Sequence, residues 1–420
     1  MTISVIGYDG SPLPPAAGDR LAAASLVVGG AWQLRAVRPP EGARQIVMGD
    51  VAAALDAIDA AAQAEFQAQA RAGGQGVVVV AGGDPGFFGI VRALRARGHA
   101  VEVFPAISSV SRAFARAGLS WDDAVVVSAH GRELRHAVNA CRAYSKVAVL
   151  TGPGAGPAEL GRALAPHTPR TFVVCENLGE PGERVERCRP AEATTRSWRD
   201  PNVVLVLDEG RRSADARSAG GRLADRGMRW LAGPGPGPSA WALPEAEFEH
   251  RDSMITKPEV RALVLARLGP APGRTIWDVG AGSGSVAVEC ARFGAWVIAI
   301  ESDPAQCEKI RRNAERHHVR LRVHHGRAPE ALIGLPPADA VFAGGGDHTV
   351  LAAAIRLASP RTVVVTLAAV QRVGETATLL AGQGYRADGV QLQASRLKPL
   401  PGGNHRLAAQ NPVFVLWGQR

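Results

Sequence analysis

The stretch Asp278-Val279-Gly280-Ala281-Gly282-Ser283-Gly284 constrains this chain more than any other. It follows the apolar run Thr275-Ile276-Trp277 and precedes Ser285–Phe293, a segment compatible with a helix. Strand, glycine turn and helix in that order turn backbone N–H groups and a helix N-terminus toward a ligand. Side chains in such a turn would block close approach of the ligand to the backbone. A second apolar run, Trp296-Val297-Ile298-Ala299-Ile300, ends in Glu301. That carboxylate lies about 20 residues past the turn, where an acid accepts hydrogen bonds from ribose hydroxyls. The combination points to a cofactor containing a nucleoside.

The pattern is G-x-G-x-G with Ser285 in the sixth position, whereas a nicotinamide fingerprint reads G-x-G-x-x-G. Asp278, two positions before the first glycine, also stands where dehydrogenases carry an apolar residue. The stretch resembles the first motif of class I S-adenosylmethionine methyltransferases, which favours a methyl-donor site over a dinucleotide site. A βα turn with no ligand is the bland alternative.

At 420 residues the chain is long enough for two domains, and a hydrophobic content of 46% suffices for two cores. The first half alternates strand-like runs (Ile3–Ile6, Leu26–Gly30, Val77–Ala81, Val101–Phe104, Ala124–Val127, Val147–Leu150, Phe172–Val174, Val203–Leu207) with helix-like segments such as Ala53–Arg71, Ile90–Arg97 and Val110–Ala117. This predicts an α/β domain over residues 1–207. Residues 208–243 contain Gly233-Pro234-Gly235-Pro236-Gly237-Pro238, which sustains neither helix nor sheet, and are expected to form a flexible linker. Residues 244–420 read as a doubly wound sheet. Its last two strands, near Gly389–Ser395 and Pro412–Trp417, are expected to pair as an antiparallel edge, because Arg396–Arg406 shows no crossover helix.

The formal net charge of +9 favours an anionic partner without naming it. No block of like charges forms a basic tail. Five cysteines, without any C-x-x-C, suggest neither a zinc site nor a disulfide framework, and a cytoplasmic location is expected. No apolar run is long enough to span a bilayer, and no signal segment is recognised. His317, His318, His324 and His325 occur as adjacent pairs, which cannot both point one way on a strand, so no metal is expected.

Two further loops of the first half carry a resemblance. Gly82-Gly83-Asp84-Pro85-Gly86 and Ile107-Ser108-Ser109 resemble the signature loops of the class III tetrapyrrole methylases. Ala113–Trp121 and His130-Gly131-Arg132 are similar to the C5-methylating branch of that family. In the second half, Phe248-Glu249-His250, Ile255–Arg261, the Asp278–Gly284 turn, Gly326–Glu330 and Phe342–Gly346 resemble the C15-methylating, decarboxylating methyltransferases of class I.

The resemblance implies an N-terminal tetrapyrrole methylase fold joined to a C-terminal Rossmann-like methyltransferase domain. It further implies methylation of a precorrin at C5 and C15, with decarboxylation of the ring-C acetate, in cobalamin biosynthesis. The implied cofactor is S-adenosyl-L-methionine (SAM), at Gly83, Asp84, Ser108 and Ser109 in the first domain. In the second the matching positions are Thr256, Gly280, Ala281, Gly282, Ser283, Gly284, Glu301 and Ala328.

His130 and Arg132 are candidates to hold substrate carboxylates, since a guanidinium binds them in bidentate fashion; a solvated surface pair is the alternative. No catalytic nucleophile is expected. The implied partner is a small tetrapyrrole, with no nucleic acid or membrane, and relatives of this kind assemble as homo-oligomers. Two competing readings stay open: a class I nucleic-acid methyltransferase with an accessory α/β domain, and a first half that is only a scaffold.

Overall fold

The computed structural model describes residues 2–49, 51–69, 76–166, 168–208, 238, 240–251, 255–344 and 347–420. They form two compact units, one from the described residues of Met1–Arg132 and Lys146–Gly233, the other from those of Glu133–Ser145 and Pro234–Arg420.

The first unit holds two five-stranded sheets. One is fully parallel, in the order Arg44–Val47, Ala24–Gly29, Gly76–Gly82, Thr2–Tyr8, Ala100–Phe104. Val77–Val80 and Ile3–Ile6 are unbroken apolar or small runs, almost wholly buried, as strands covered on both faces require. The other sheet runs Val125–Ser128, Lys146–Leu150, Asn202–Leu207, Thr171–Glu176, Arg184–Cys188. Only its first pair is parallel, and the other three are antiparallel.

The second unit is a seven-stranded sheet in the order Arg322–His325, Trp296–Glu301, Thr275–Val279, Ala340–Ala343, Thr362–Leu367, Val413–Gln419, Arg386–Leu392. The first five strands are parallel. Chain order reverses on the two sides of Thr275–Val279, which makes the carboxyl ends of this strand and Ala340–Ala343 the switch point where open α/β sheets bind ligands.

The expected antiparallel pairing of the last strands is present, but not as a simple edge. Val413–Gln419 is inserted between Thr362–Leu367 and Arg386–Leu392 and pairs antiparallel with both. The edge strand ends at Leu392, three residues before the expected limit, and Ser395–Pro399 instead pairs with His405–Ala409 as a separate hairpin.

Helix Leu134–Ala143 groups with the second unit: Asn139 Nδ2 donates to Thr275 Oγ1 (2.8 Å) and Arg135 pairs with Asp339 (2.8 Å). Most of the expected linker lies outside the described residues. At its far end Ala242 N and Leu243 N donate to the Glu289 carboxylate at 2.6 and 3.0 Å. Glu289 in turn pairs with Arg261 at 2.5 Å, and both side chains are fully buried. Among the described residues no helix is long and apolar enough to cross a membrane.

Candidate functional sites

Each unit has a cleft at the carboxyl ends of its parallel strands. In the first unit the cleft measures about 500 Å³ and is lined by Asp9, Gly83, Asp84, Ser109, His130 and Arg132, among others. Tyr8 and Gly82 are register partners at the ends of adjacent strands, and Gly83 N donates to Tyr8 O at 2.8 Å. Gly83 has φ +65°, and a Cβ there would lie 3.2 Å from Ser109 N and 3.3 Å from Ile107 O. Glycine is required because the two signature loops touch at this point. Asp84 Oδ1 closes its own turn by accepting from Gly86 N at 2.8 Å.

Ser108 caps helix Ser109–Ala117, its side chain accepting from Ser111 N at 3.1 Å, while Ser109 faces the cleft. His130 Nδ1 lies 3.3 Å from Thr151 O. Arg132 sits over the Phe88 ring at 5.7 Å. Phe87, Phe88 and Ile107 expose apolar surface around the cleft, as suits a flat, largely apolar ligand.

Sequence reasoning missed Asp9, which stood only in a turn, Gly7-Tyr8-Asp9-Gly10. Its side chain is 8% exposed; it accepts from Ser11 N (3.0 Å) and Ile107 N (3.3 Å) and pairs with Arg112 (3.1 Å). Burial alone would raise this carboxyl. The hydrogen bonds from Ser11 and Ile107 and the Arg112 charge outweigh it and hold Asp9 below the usual carboxylate range. Asp9 thus ties the first turn to the Ile107 loop across a sequence gap of 98 residues, which no local pattern encodes.

The second cleft, about 330 Å³, is lined by Gly280, Ser302, Arg327, Ala328 and Asp347 among others. Gly280, Gly282 and Gly284 all have positive φ (+73°, +55°, +74°), and a Cβ on Gly284 would meet Ile310 at 2.9 Å. Ala281 packs against the core, and Ser283 O accepts from Asn313 Nδ2 at 2.9 Å. Glu301 Oε2 accepts from Gly282 N at 2.8 Å, and its Oε1 accepts from Ser302 N and Asp303 N at 2.8 and 2.9 Å. The carboxylate is oriented by the glycine turn, and Oε2 keeps a lone pair for another donor.

Behind the turn, Asp278 is buried: Oδ2 accepts from Ala287 N at 3.0 Å and Oδ1 has no partner. Burial pushes this carboxyl up to about 7. Thr256 precedes helix Pro258–Leu268, whose N-cap position is Lys257, and its carbonyl accepts from Arg261 at 2.5 Å; it does not line the cleft. His317 Nε2 and His325 Nε2 lie within hydrogen-bond distance of the carbonyls of Glu247 and Ser302. Among the described residues no group of three or more His, Cys, Asp or Glu is placed to hold a metal ion.

Residues 9–194 match the model of the tetrapyrrole (corrin/porphyrin) methylases, and residues 246–419 match that of the precorrin methyltransferase domain. The chain is 38% identical over 291 residues to precorrin-6Y C(5,15)-methyltransferase (decarboxylating) of a Sinorhizobium species, a match covering 67% of this chain and 65% of the relative. The protein of the same name from Mycobacterium tuberculosis is 36% identical, over 64% of this chain and 63% of the relative. The chain thus matches just under two thirds of the length of these relatives. Cobalt-precorrin-6B C(15)-methyltransferase (decarboxylating) of Salmonella typhimurium is 38% identical over 176 residues, 40% of this chain and 89% of that protein.

Proposed function

The chain belongs to the precorrin methyltransferases, and from that membership we propose that it methylates a precorrin at C5 and C15 and removes one carboxyl group, as a step of cobalamin biosynthesis. One observation carries the reading: two clefts, one in each unit, each built on a glycine-containing turn at the ends of parallel strands. The family implies a methyl donor, and we assign SAM to both clefts. In the second cleft the fit rests on Glu301, fixed by three backbone N–H groups with Oε2 still able to accept from a ribose hydroxyl. In the first it rests on Gly83, Asp84 and Ser109, which line the cleft where the two signature loops meet.

SAM supplies an electrophilic methyl on a sulfonium, so the protein's task is chiefly positioning and electrostatics. Gly280 and Ala328 line the second cleft together with Ser302, whose N–H donates to Glu301. Arg132 in the first cleft and Arg327 in the second offer cations to the substrate's carboxylates. Phe87, Phe88 and Ile107 supply apolar surface for the macrocycle. The macrocycle itself is the electron sink for loss of carbon dioxide.

All five cysteines are free and buried, which supports placing the reaction in a reducing cytoplasm. Homo-oligomers are proposed as well; Leu397 and Leu407, register partners on the hairpin, are about 70% exposed. The nucleic-acid alternative rested on net charge and the class I glycine turn and is not carried forward, because the named relatives are precorrin methyltransferases. Mass spectrometry after incubation with SAM and a precorrin-6 substrate tests the proposal. Two added methyls and one lost carboxyl group support it, and an unmodified tetrapyrrole refutes it.

A further inference from the structure

Methylation at a meso carbon is incomplete without a proton acceptor. The C5 π pair forms the new C–CH3 bond while the S–CH3 pair returns to sulfur. C5 then carries both the methyl and its original hydrogen, and the π system is restored only when the C5–H bond breaks and its proton leaves.

The first cleft holds few groups able to take it. Asp9 is engaged by Ser11, Ile107 and Arg112; Asp84, whose Oδ1 accepts from Gly86 N, keeps its other oxygen and has to be tested as an acceptor. His130 is different. Its Nδ1 faces the Thr151 carbonyl at 3.3 Å, and a carbonyl only accepts, so Nδ1 carries the proton. In that tautomer the ring presents a lone pair at Nε2, which has no protein partner among the described residues.

The ring is held there by its surroundings. A Cβ on Gly152 would lie 2.6 Å from His130 Nδ1 and 3.2 Å from its Cα, so the imidazole packs directly on a side-chain-free backbone. The carbonyl it uses belongs to Thr151, a buried residue whose Oγ1 donates to Asn202 O at 2.5 Å. This is the arrangement of a general base: one nitrogen fixed by an acceptor, the other free in the cleft.

We infer that His130 Nε2 accepts the C5 proton after methyl transfer in the first cleft. The inference rests on the C5-methylation reading proposed above and adds a catalytic role to a residue otherwise only a candidate carboxylate anchor. Glu180 and Asp84, which also line the cleft, are the competing acceptors.

The test uses the full chain with SAM and a precorrin-6 substrate, scoring C5 and C15 methylation separately by mass spectrometry and NMR. His130→Ala should lower kcat for C5 methylation by about 100-fold or more, with C15 methylation intact and KM changed by less than about threefold. Added imidazole should restore part of the lost rate, and deuterium at C5 should slow the variant more than the wild type. Gly152→Ala, which pushes on the ring without removing it, should also lower kcat for C5.

Three results overturn the assignment: a His130→Ala rate within about threefold of wild type, a loss confined to KM, or a loss that imidazole does not relieve. Loss of C5 methylation in Glu180→Gln or Asp84→Asn while His130→Ala stays active transfers the role to that carboxylate. A wild-type chain that methylates C15 but never C5 overturns the functional reading and the assignment together.

Discussion

Asp278 offers a test that needs no substrate. Its carboxyl is buried, one oxygen bonded to Ala287 N and the other without a partner, and it titrates at about 7 in the fold against 3.8 for the free side chain. The cause is burial first, with the Ala287 hydrogen bond opposing it and the Glu301 charge adding to it. Because the folded carboxyl binds its proton more tightly than the unfolded one, stability is highest at low pH and declines as pH rises from about 4 to about 7.

At about 1.4 kcal/mol per pH unit the full penalty is about 4 kcal/mol. About 2.5 kcal/mol of it develops between about pH 5 and about pH 8, the rest lying lower. Asp278→Asn keeps an oxygen for Ala287 N and removes the titration. Denaturant unfolding followed by circular dichroism, on both proteins at both pH values, should show the wild type losing about 2.5 kcal/mol relative to the variant on going to about pH 8. A difference between the two proteins that stays constant with pH would refute the reasoning.

Other predictions follow from particular contacts. Glu301→Ala removes an acceptor from three backbone N–H groups and from the proposed ribose, so affinity for S-adenosylhomocysteine at the second cleft should fall about 100-fold or more by calorimetry, with the first cleft unchanged. Glu289→Gln leaves the Arg261 guanidinium buried without its counter-charge and should cost about 3–5 kcal/mol in chemical denaturation; pairing Arg261→Met with Glu289→Met should cost less than Glu289→Gln alone. Gly284→Ala places a Cβ 2.9 Å from Ile310 at φ +74° and should destabilise the second unit by about 1–3 kcal/mol, read as a lower thermal midpoint.

What the sequence made legible follows a physical division. Strands buried on both faces, such as Val77–Val80 and Trp296–Ile300, declare themselves as apolar runs, and positions 280, 282 and 284 must be glycine for the turn to exist. The meeting of Glu301 with the glycine turn was legible because one helix and one strand fix the spacing between them. Ser395–Pro399 and His405–Ala409 were not, since a hairpin with no buried face shows no alternation to read. The insertion of Val413–Gln419 between two earlier strands was equally hidden, because periodicity gives a strand's faces but not its neighbours. Asp9 and Arg112 escaped for a related reason: their meeting is a product of the tertiary fold and leaves no trace in local spacing.

The proposed activity requires each half of the chain to have a pocket of its own for the methyl donor. Titration calorimetry of the intact chain with S-adenosylhomocysteine is the direct measure, repeated with Glu301→Ala. Two molecules bound per chain, reduced to one in the variant, is the expected result. A single binding event in the wild type, abolished by Glu301→Ala, would mean that the Gly83–Asp84 cleft holds no donor and would contradict the central claim.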